Sequence, residues 1–405
     1  MNILLVSGYA PNKNSSANLS HNAFIEGFIK LGYKVDIICH NFDVNNEKKE
    51  IPVPEFHKIY TYDGLSLYEK LASKKRANAP ANYEAISQEA IDESAESIKT
   101  RVVKAIKKFL WNMYGAYNPS VVWYYRAKKF KSNTPYDYVI SMGYPHISHR
   151  VAGYLLNHNR IQAKKWIQLW EDPWYYSLEL HGKNQRVKRA EYKVLDAGQD
   201  IVYVSPITLK NQQRIFDRDK DKMRWCPLAA YYTEHETTQS HTGNHYGYFG
   251  DYFPYARNLV PFYNVAEEKG LKVDICGRPT DLLKSTDKIK IFPRLPIDEL
   301  KKHEDLANVV ICLFNLGGGQ IPGKIYQLAA TNKTILAILD GPEDEQKIIR
   351  DYFEKFNRFV FCQNNEQSIS EAIDRIENND LGGVSNKPIN DFSVEKVAKM
   401  LLGDL

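Results

Sequence analysis

The stretch richest in chemical groups runs Asn315-Leu-Gly-Gly-Gly-Gln320-Ile321-Pro322-Gly323-Lys324-Ile-Tyr326-Gln327-Leu-Ala-Ala-Thr-Asn-Lys333-Thr-Ile-Leu-Ala-Ile. An apolar run enters a glycine-rich turn, and a helix is expected from about Pro322, because proline suits the first helical turn. Backbone N–H groups and the helix dipole at that end suit a diphosphate, and Lys324 adds a full positive charge. Gln327, about one turn further on, is placed to bond ribose hydroxyls. Gln320, Ile321, Gly323 and Tyr326 fall in the same segment and are counted with it. A plainer account stays open, in which the glycines serve close packing and Lys324 is solvated.

Other phosphate-binding patterns are missing. The first loop, Gly8 to Ala17, has one glycine where a dinucleotide fingerprint needs three, and no GxxxxGK[ST] occurs. Asp217-Arg-Asp219-Lys-Asp221 contains DxD spacing, but it sits in alternating charge after a helical stretch and reads as a solvated turn. The cysteines Cys39, Cys226, Cys276, Cys312 and Cys362 form no CxxC pair and mostly lie in apolar runs, so they read as buried thiols.

These groups need a frame. Ile3–Val6, a polar loop, apolar residues at helical spacing from Leu19 to Leu31, Gly32 and then Val35–Cys39 describe a βαβ unit. Apolar runs return at Tyr138–Met142, Trp166–Leu169 and Ile201–Val204. After a polar stretch, Thr233–Asn244, the pattern restarts. Tyr246–Phe249, Lys272–Cys276, Ile289–Phe292, Val309–Phe314, Ile335–Leu339 and Phe359–Cys362 read as strands, with helices over Leu259–Lys269 and Glu343–Phe356. Alternation of this kind builds parallel sheets covered on both faces. The expected organisation is a first domain over 1–232, a linker over 233–245 and a second domain over 246–385. A terminal helix within 386–405 is expected to pack back on the first domain. At 405 residues two domains are the natural expectation. Two doubly wound domains leave a cleft between their sheet edges, where ligands bind at strand C-terminal ends. Asp172, just after Trp166–Leu169, would face that cleft.

Composition bounds the partners. A net charge of +5 is small for this length, which argues against a nucleic-acid binder. The N-terminus lacks a basic n-region, and no window reaches the roughly 18 apolar residues of a membrane span, so a cytoplasmic chain is expected.

The order of residues in 322–337 resembles the donor-binding segment of GT-B glycosyltransferases related to family 4, "P-S-K-(I/L)-(F/Y)-E-Y-L-A-A-G-K-P-(I/V)-L-A". Pro322, Lys324, Ile325, Tyr326, Ala330, Lys333, Ile335, Leu336 and Ala337 match it. Gln327 stands where many members have a ribose-binding Glu, and the first carboxylate of the usual E-x7-E pair has no counterpart. Tyr136-Asp137 to His149 is similar to the family's "yD-hh-h-S-x-x-P-x-s-s-H", and Trp170-Glu171-Asp172-Pro173-Trp174 to its "r-D-P-W". Phe249-Gly250-Asp251-Tyr252 with Ala256-Arg257-Asn258 is similar to the opening of its second domain.

The resemblance implies two Rossmann-like α/β domains facing a cleft, and transfer of a sugar from a nucleotide donor, UDP-sugar favoured, to a carbohydrate or lipid-linked acceptor. Retention of configuration, no essential metal and no cofactor are implied as well. Such chemistry gathers negative charge on the leaving diphosphate, so cations and backbone amides are its main requirement. Arg257 and Lys324 are the expected clamp, with Gly250 and Arg294 beside them. Asp172 is the candidate to take the acceptor hydroxyl proton. His146 and His149 are expected at the acceptor pocket, and Ser15 and Ser16 at the phosphates across the cleft. A sugar-nucleotide epimerase or hydrolase, or a non-catalytic partner subunit, are the competing expectations on this frame.

One further stretch, 97–136, has no acidic residue and interleaves Lys and Arg with aromatics. Val102, Ile106, Phe109 and Leu110 share one helical face, with lysines on the other. Such a segment suits either an anionic membrane surface, at the inner face of the cell membrane, or an ordinary amphipathic helix.

Overall fold

The structure, a computed structural model, describes residues 1–13, 15–41, 51–64, 115–117, 121–143, 145–177, 180, 182–231, 243–278 and 280–404. The first sheet comprises β1 (Asn2–Ser7), β2 (Lys34–His40), β3 (Lys58–Tyr62), β4 (Pro135–Gly143), β5 (Gln162–Trp170), β6 (Asp200–Tyr203) and β7 (Met223–Trp225). Its strands run parallel in the order β3-β2-β1-β4-β5-β6-β7. Its helices are α1 (Ser16–Lys30), α2 (Val121–Ala127), α3 (Ile147–Asn157), α4 (Gln185–Ala197) and α5 (Pro206–Ile215).

The second sheet comprises β8 (His245–Phe249), β9 (Lys272–Cys276), β10 (Ile289–Phe292), β11 (Val309–Leu313), β12 (Thr334–Leu339) and β13 (Phe359–Gln363). It is also parallel, in the order β10-β9-β8-β11-β12-β13. With it go α6 (Val260–Glu268), α7 (Ile297–Leu306), α8 (Lys324–Ala329), α9 (Glu343–Glu354) and α10 (Glu366–Glu377), and a terminal helix, α11 (Val394–Leu402), follows. Strand order reverses between β1 and β4 and again between β8 and β11. Loops diverge there and open a crevice at the strand C-terminal ends.

The central strands are apolar along their whole length because helices cover both faces. Ile3, Leu4, Leu5 and Val6 are fully buried, as are Ile335, Leu336, Ala337 and Ile338. All eleven apolar runs of the sequence become strands. Two strands escaped that reading, β3 and β7. Both are edge strands, one half-exposed and one three residues long, so neither carries a continuous apolar run.

The terminal helix α11 lies against α1, burying Val394, Val397, Ala398, Leu401 and Leu402. Gly27 makes this approach feasible, since a Cβ there would stand 2.1 Å from the Val394 carbonyl oxygen. Arg224 locks the other end. It forms a two-pronged pair with Asp200 at 2.8 and 2.9 Å and donates to the last carbonyls of α11, those of Met400 and Leu401, at 2.8 and 2.5 Å. A cation at a helix C-terminus also meets its negative dipole end.

All five cysteines are buried free thiols. Asp217 and Asp219 pair with their own neighbours, Lys220 and Lys222, at 2.9 Å each within a short turn, but Asp219 is buried in it rather than solvated. Most of the polar stretch 233–245 lies outside the described residues. So do the basic helix face at 102–110 and its lysines. In the described remainder of 97–136, Trp123 and Tyr124 are buried in the first half's core. No helix among the described residues is long and apolar enough to cross a membrane.

Candidate active site

The second sheet supplies one wall of the crevice. The loops after β8 and β9 lie backbone on backbone: the Gly250 N–H donates to the Cys276 carbonyl at 2.9 Å, and a Cβ on Gly277 would fall 2.0 Å from the Gly250 oxygen. Only glycine at 277 permits this approach. Three cations line the space above. Arg257 donates through Nε to Asn315 Oδ1 at 2.7 Å. Arg294 Nε reaches Asp251 Oδ1 at 3.0 Å, and its second prong bonds Asp251 Oδ2. Lys324 pairs with Glu304 at 2.5 Å and lies 5.9 Å from the centre of the Phe249 ring. Burial works to raise the Asp251 carboxyl, but the Arg294 bond, the Arg278 amide and the nearby charges hold it below its ordinary value.

The first sheet supplies the facing wall through the start of α1. Ser15 caps that helix, its Oγ accepting from the Asn18 amide at 3.1 Å. Ser15 and Ser16 line a cleft of about 380 Å³ together with Gly250, Arg257, Arg294, Pro322, Gly323, Lys324 and Gln327. Nine of the expected site residues thus come together. Gly277, Glu304 and Lys333 line the same cleft and were not expected there. Lys333 is no ligand cation: it is buried, and its Nζ donates to the carbonyls of Glu304 and Ala307 at the C-terminal end of α7. Burial drives its pKa down.

Several expectations need correction. The helix starts at Lys324 rather than Pro322 and is six residues long, with no side-chain cap. Tyr326 is fully buried against Phe353 and Phe392, and Ile321 is core as well, so neither side chain is cleft wall. Gln327 is engaged with the chain itself. Its Oε1 accepts from the Tyr231 amide at 2.9 Å and its Nε2 donates to the Ala229 carbonyl at 3.5 Å, so it grips the end of the first half. The glycine turn also packs rather than faces the cleft. The Gly319 carbonyl accepts from Ser205 Oγ at 2.7 Å and Thr208 Oγ1 at 2.9 Å, at the head of α5. Gly318 and Gly319 have φ of 87° and 72°, which other residues rarely adopt. A Cβ on Gly319 would press Ile207 and Asn211.

Asp172 follows β5 at its C-terminal end and is half-buried. Gln320, from the glycine turn, donates to its Oδ1, so the two halves meet at the expected catalytic carboxylate. Gln320 is thereby a partner of Asp172 rather than part of the cleft lining.

His146 and His149 do not line the cleft. Both rings stack on fully buried Trp170, with centroids 5.1 and 4.4 Å away, and Trp174 lies on His146 at 4.8 Å. Burial pulls the His146 pKa down to about 3, so near neutrality its ring is the neutral imidazole and not the imidazolium. His149 Nδ1 lies 2.8 Å from Ser141 Oγ, which also accepts from Trp166 Nε1 at 2.9 Å. Ser141 Oγ has one proton and two lone pairs, so this contact fits either neutral tautomer of His149. Burial, first, and the neighbouring His146 and His21 hold this ring neutral as well.

A buried carboxylate underlies this wall. Glu191, on α4, accepts from the Tyr175 amide at 2.6 Å, Gln212 Nε2 at 2.6 Å and the Trp174 amide at 3.5 Å. It therefore positions the loop that follows Asp172. Burial pushes its pKa up to about 7 against the pull of those bonds. The signal was present in the sequence: Val187, Glu191, Val194 and Leu195 share one helical face, and a glutamate there must be buried with donors.

No family model matches the chain, and no curated protein matches it in sequence. Solved structures do align over its whole length. TarM superposes with a TM-score of 0.60 at 9% identity, covering 100% of this chain and 97% of that one. Sucrose-phosphate synthase from Thermosynechococcus elongatus gives 0.57 at 11% identity, with 100% and 94% covered. The fold is GT-B. UDP-GlcNAc 2-epimerase from Neisseria meningitidis, bound to UDP-GlcNAc, superposes at 0.50 with 11% identity, covering 100% and 99%. Identities this low speak for the fold and not for the reaction. In this GT-B chain both sheets present their switch points to one crevice, with cations on one side and Ser15 and Ser16 on the other; Asp172, bonded to Gln320, lies outside that lining.

Proposed function

We propose that this chain is a glycosyltransferase moving a sugar from a nucleotide-sugar donor, a UDP-sugar by preference, to a carbohydrate or lipid-linked acceptor. One observation carries the reading: Arg257, Arg294 and Lys324 converge from one sheet on a cleft whose opposite rim is Ser15 and Ser16. Three cations suit a diphosphate whose charge grows as the glycosidic bond to it breaks. Asp172 then serves the acceptor side, taking or orienting the incoming hydroxyl, with Gln320 fixing its carboxylate. The reaction is proposed to retain anomeric configuration and to need no metal, at the cytoplasmic face of the cell membrane. The sequence 97–136 is the proposed contact with that surface.

A sugar-nucleotide epimerase is the second reading, because the GT-B neighbours include UDP-GlcNAc 2-epimerases. Incubation with labelled nucleotide sugars, with and without acceptor, separates the two. Transfer requires the acceptor; epimerisation does not. Titration calorimetry with UDP tests the site beneath both readings. Lys324→Ala should weaken binding about tenfold to a hundredfold, the worth of a charge-assisted contact. Part of its charge is already spent on Glu304, which sets the lower figure. Unchanged UDP affinity in this variant would remove the diphosphate from the proposed place.

A further inference from the structure

A second cavity, of about 540 Å³, lies between α3 and α4 and shares no residue with the cleft. Trp166 of β5 reaches its floor, and Tyr154 and Gly153 of α3 form one side. Gly153 is what lets the helix settle there: a Cβ would stand 3.0 Å from the Trp166 ring. The rim is cationic. Arg186, Arg189 and Lys193 come from α4 at helical spacing, so they project along the same side. Arg150 faces them from α3, its guanidinium held 4.4 Å from the Tyr124 ring and 5.1 Å from that of Tyr117. Among the described residues no carboxylate lines the cavity. Neither Arg189 nor Lys193 has an ion-pair partner among them.

Arg150, Arg189 and Lys193 around one aromatic-floored space leave more positive charge than a single carboxylate would balance. A phosphomonoester or diphosphate carries about two negative charges and several acceptor oxygens, which multiple Arg and Lys donors match. The volume suits a ligand of ordinary small-molecule size, and the indole and phenol faces suit an apolar portion. The geometry points to a binding site for a phosphorylated amphiphile, its phosphate held by Arg186, Arg189 and Lys193 and its apolar part laid on Trp166. Arg150, already stacked, guides the phosphate rather than enclosing it. This site stands whether or not the cleft binds a nucleotide sugar, because the two are built from different elements.

The test uses the full chain and decyl phosphate below its micelle concentration, measured by titration calorimetry. Inorganic phosphate and decyl maltoside serve as the separate head and tail controls. One decyl phosphate should bind per chain, with inorganic phosphate and the neutral amphiphile each at least about tenfold weaker. Arg189→Ala/Lys193→Ala removes two contacts of roughly 1 kcal/mol each, so affinity should fall about thirtyfold. Both positions are exposed and alanine favours helix, so the fold should persist; circular dichroism checks it. Lys301→Ala/Lys302→Ala removes the same charge from the exposed face of α7 and should leave binding unchanged. Equal loss in both double variants would reduce the effect to net charge and overturn the site. Binding of inorganic phosphate as tight as decyl phosphate would overturn the apolar part. Sedimentation with phosphatidic acid vesicles, but no binding of monomeric decyl phosphate, would replace the cavity by a membrane-facing surface.

Discussion

At the C-terminal edge of the first sheet, Trp170 is fully buried with two neutral histidine rings stacked on it. At the matching edge of the second sheet, Arg257, Arg294 and Lys324 carry charge into the cleft. The two walls share one topology and differ in how their polar groups are satisfied. Behind the first wall Ser141 is bonded to His149 and Glu191 to two amides and Gln212, although His149 Nε2 and the Tyr203 hydroxyl are buried without a hydrogen-bond partner among the described residues. On the second wall each cation is held by a local acceptor, Asp251, Asn315 or Glu304, in solvent-accessible space. Surface pairs of this kind are worth little, so a diphosphate can compete for the cations at small cost. One wall is therefore expected to fix geometry and the other to exchange partners.

The largest effect expected is kinetic and sits where the walls meet. Asp172→Asn keeps an oxygen for Gln320 but removes the basicity, so kcat should fall roughly 10²- to 10⁴-fold, the worth of a positioned general base. UDP affinity should stay within a factor of about three. Turnover and UDP titration on one folded sample check both. A loss confined to UDP affinity would place Asp172 on the donor wall and break the division of labour.

Next in size is the cost of opening the dry wall. Trp170→Ala should destabilise by about 3–5 kcal/mol, as expected for a buried tryptophan, read as the shift of the urea midpoint at constant m. UDP binding by the folded fraction should survive. If it does not, the walls are coupled more tightly than their separate networks suggest.

Glu191 gives this wall a pH signature. A carboxyl at about 7 in the folded chain and about 4.5 when unfolded binds more protons folded than unfolded between those values. Stability should thus be highest below the lower value and fall as pH rises to 7, by roughly 3 kcal/mol for the whole shift. Glu191→Gln should flatten that slope, which urea titrations at pH 5 and 7 would show. Parallel slopes for parent and variant would mean that Glu191 titrates normally and that the wall is wetter than its burial implies.

The contrast also explains what the sequence displayed. Core strands such as Ile3–Val6 and Ile335–Leu339 were readable because burial on both faces leaves an uninterrupted apolar run. Lys324 was readable as a cation at a helix start, whereas Arg257 came into view only through the resemblance of 249–258 to the opening of a second GT-B domain. The histidines misled because residue type shows reactivity but not the Trp170 stack, which depends on β4, β5 and α3 converging. Glycine was the hardest residue to read. Gly317–Gly319 had the composition of a phosphate cradle, yet the Gly319 carbonyl is taken by Ser205 and Thr208, more than a hundred residues earlier in the chain. No local pattern carries that pairing.

The smallest effect tests whether the charged wall is anchored or adjustable. Gln327 holds the end of the first half through one accepted and one donated bond, to the Tyr231 amide and the Ala229 carbonyl. In Gln327→Glu the accepted bond gains a charged acceptor and strengthens. The donated bond is lost, and a carboxylate oxygen then faces a carbonyl oxygen. That bond is 3.5 Å long and contributes little, so the two changes nearly offset. The expected result is a stability change of at most about 1 kcal/mol in either direction. UDP should bind no tighter than to the parent, because the side chain is committed to Tyr231 rather than to a ribose. Tighter UDP binding by Gln327→Glu at unchanged stability would show that the new carboxylate leaves the Tyr231 amide and reaches the ligand. The connecting segment at 229–231 would then be an adjustable part of the donor wall, and not its anchor.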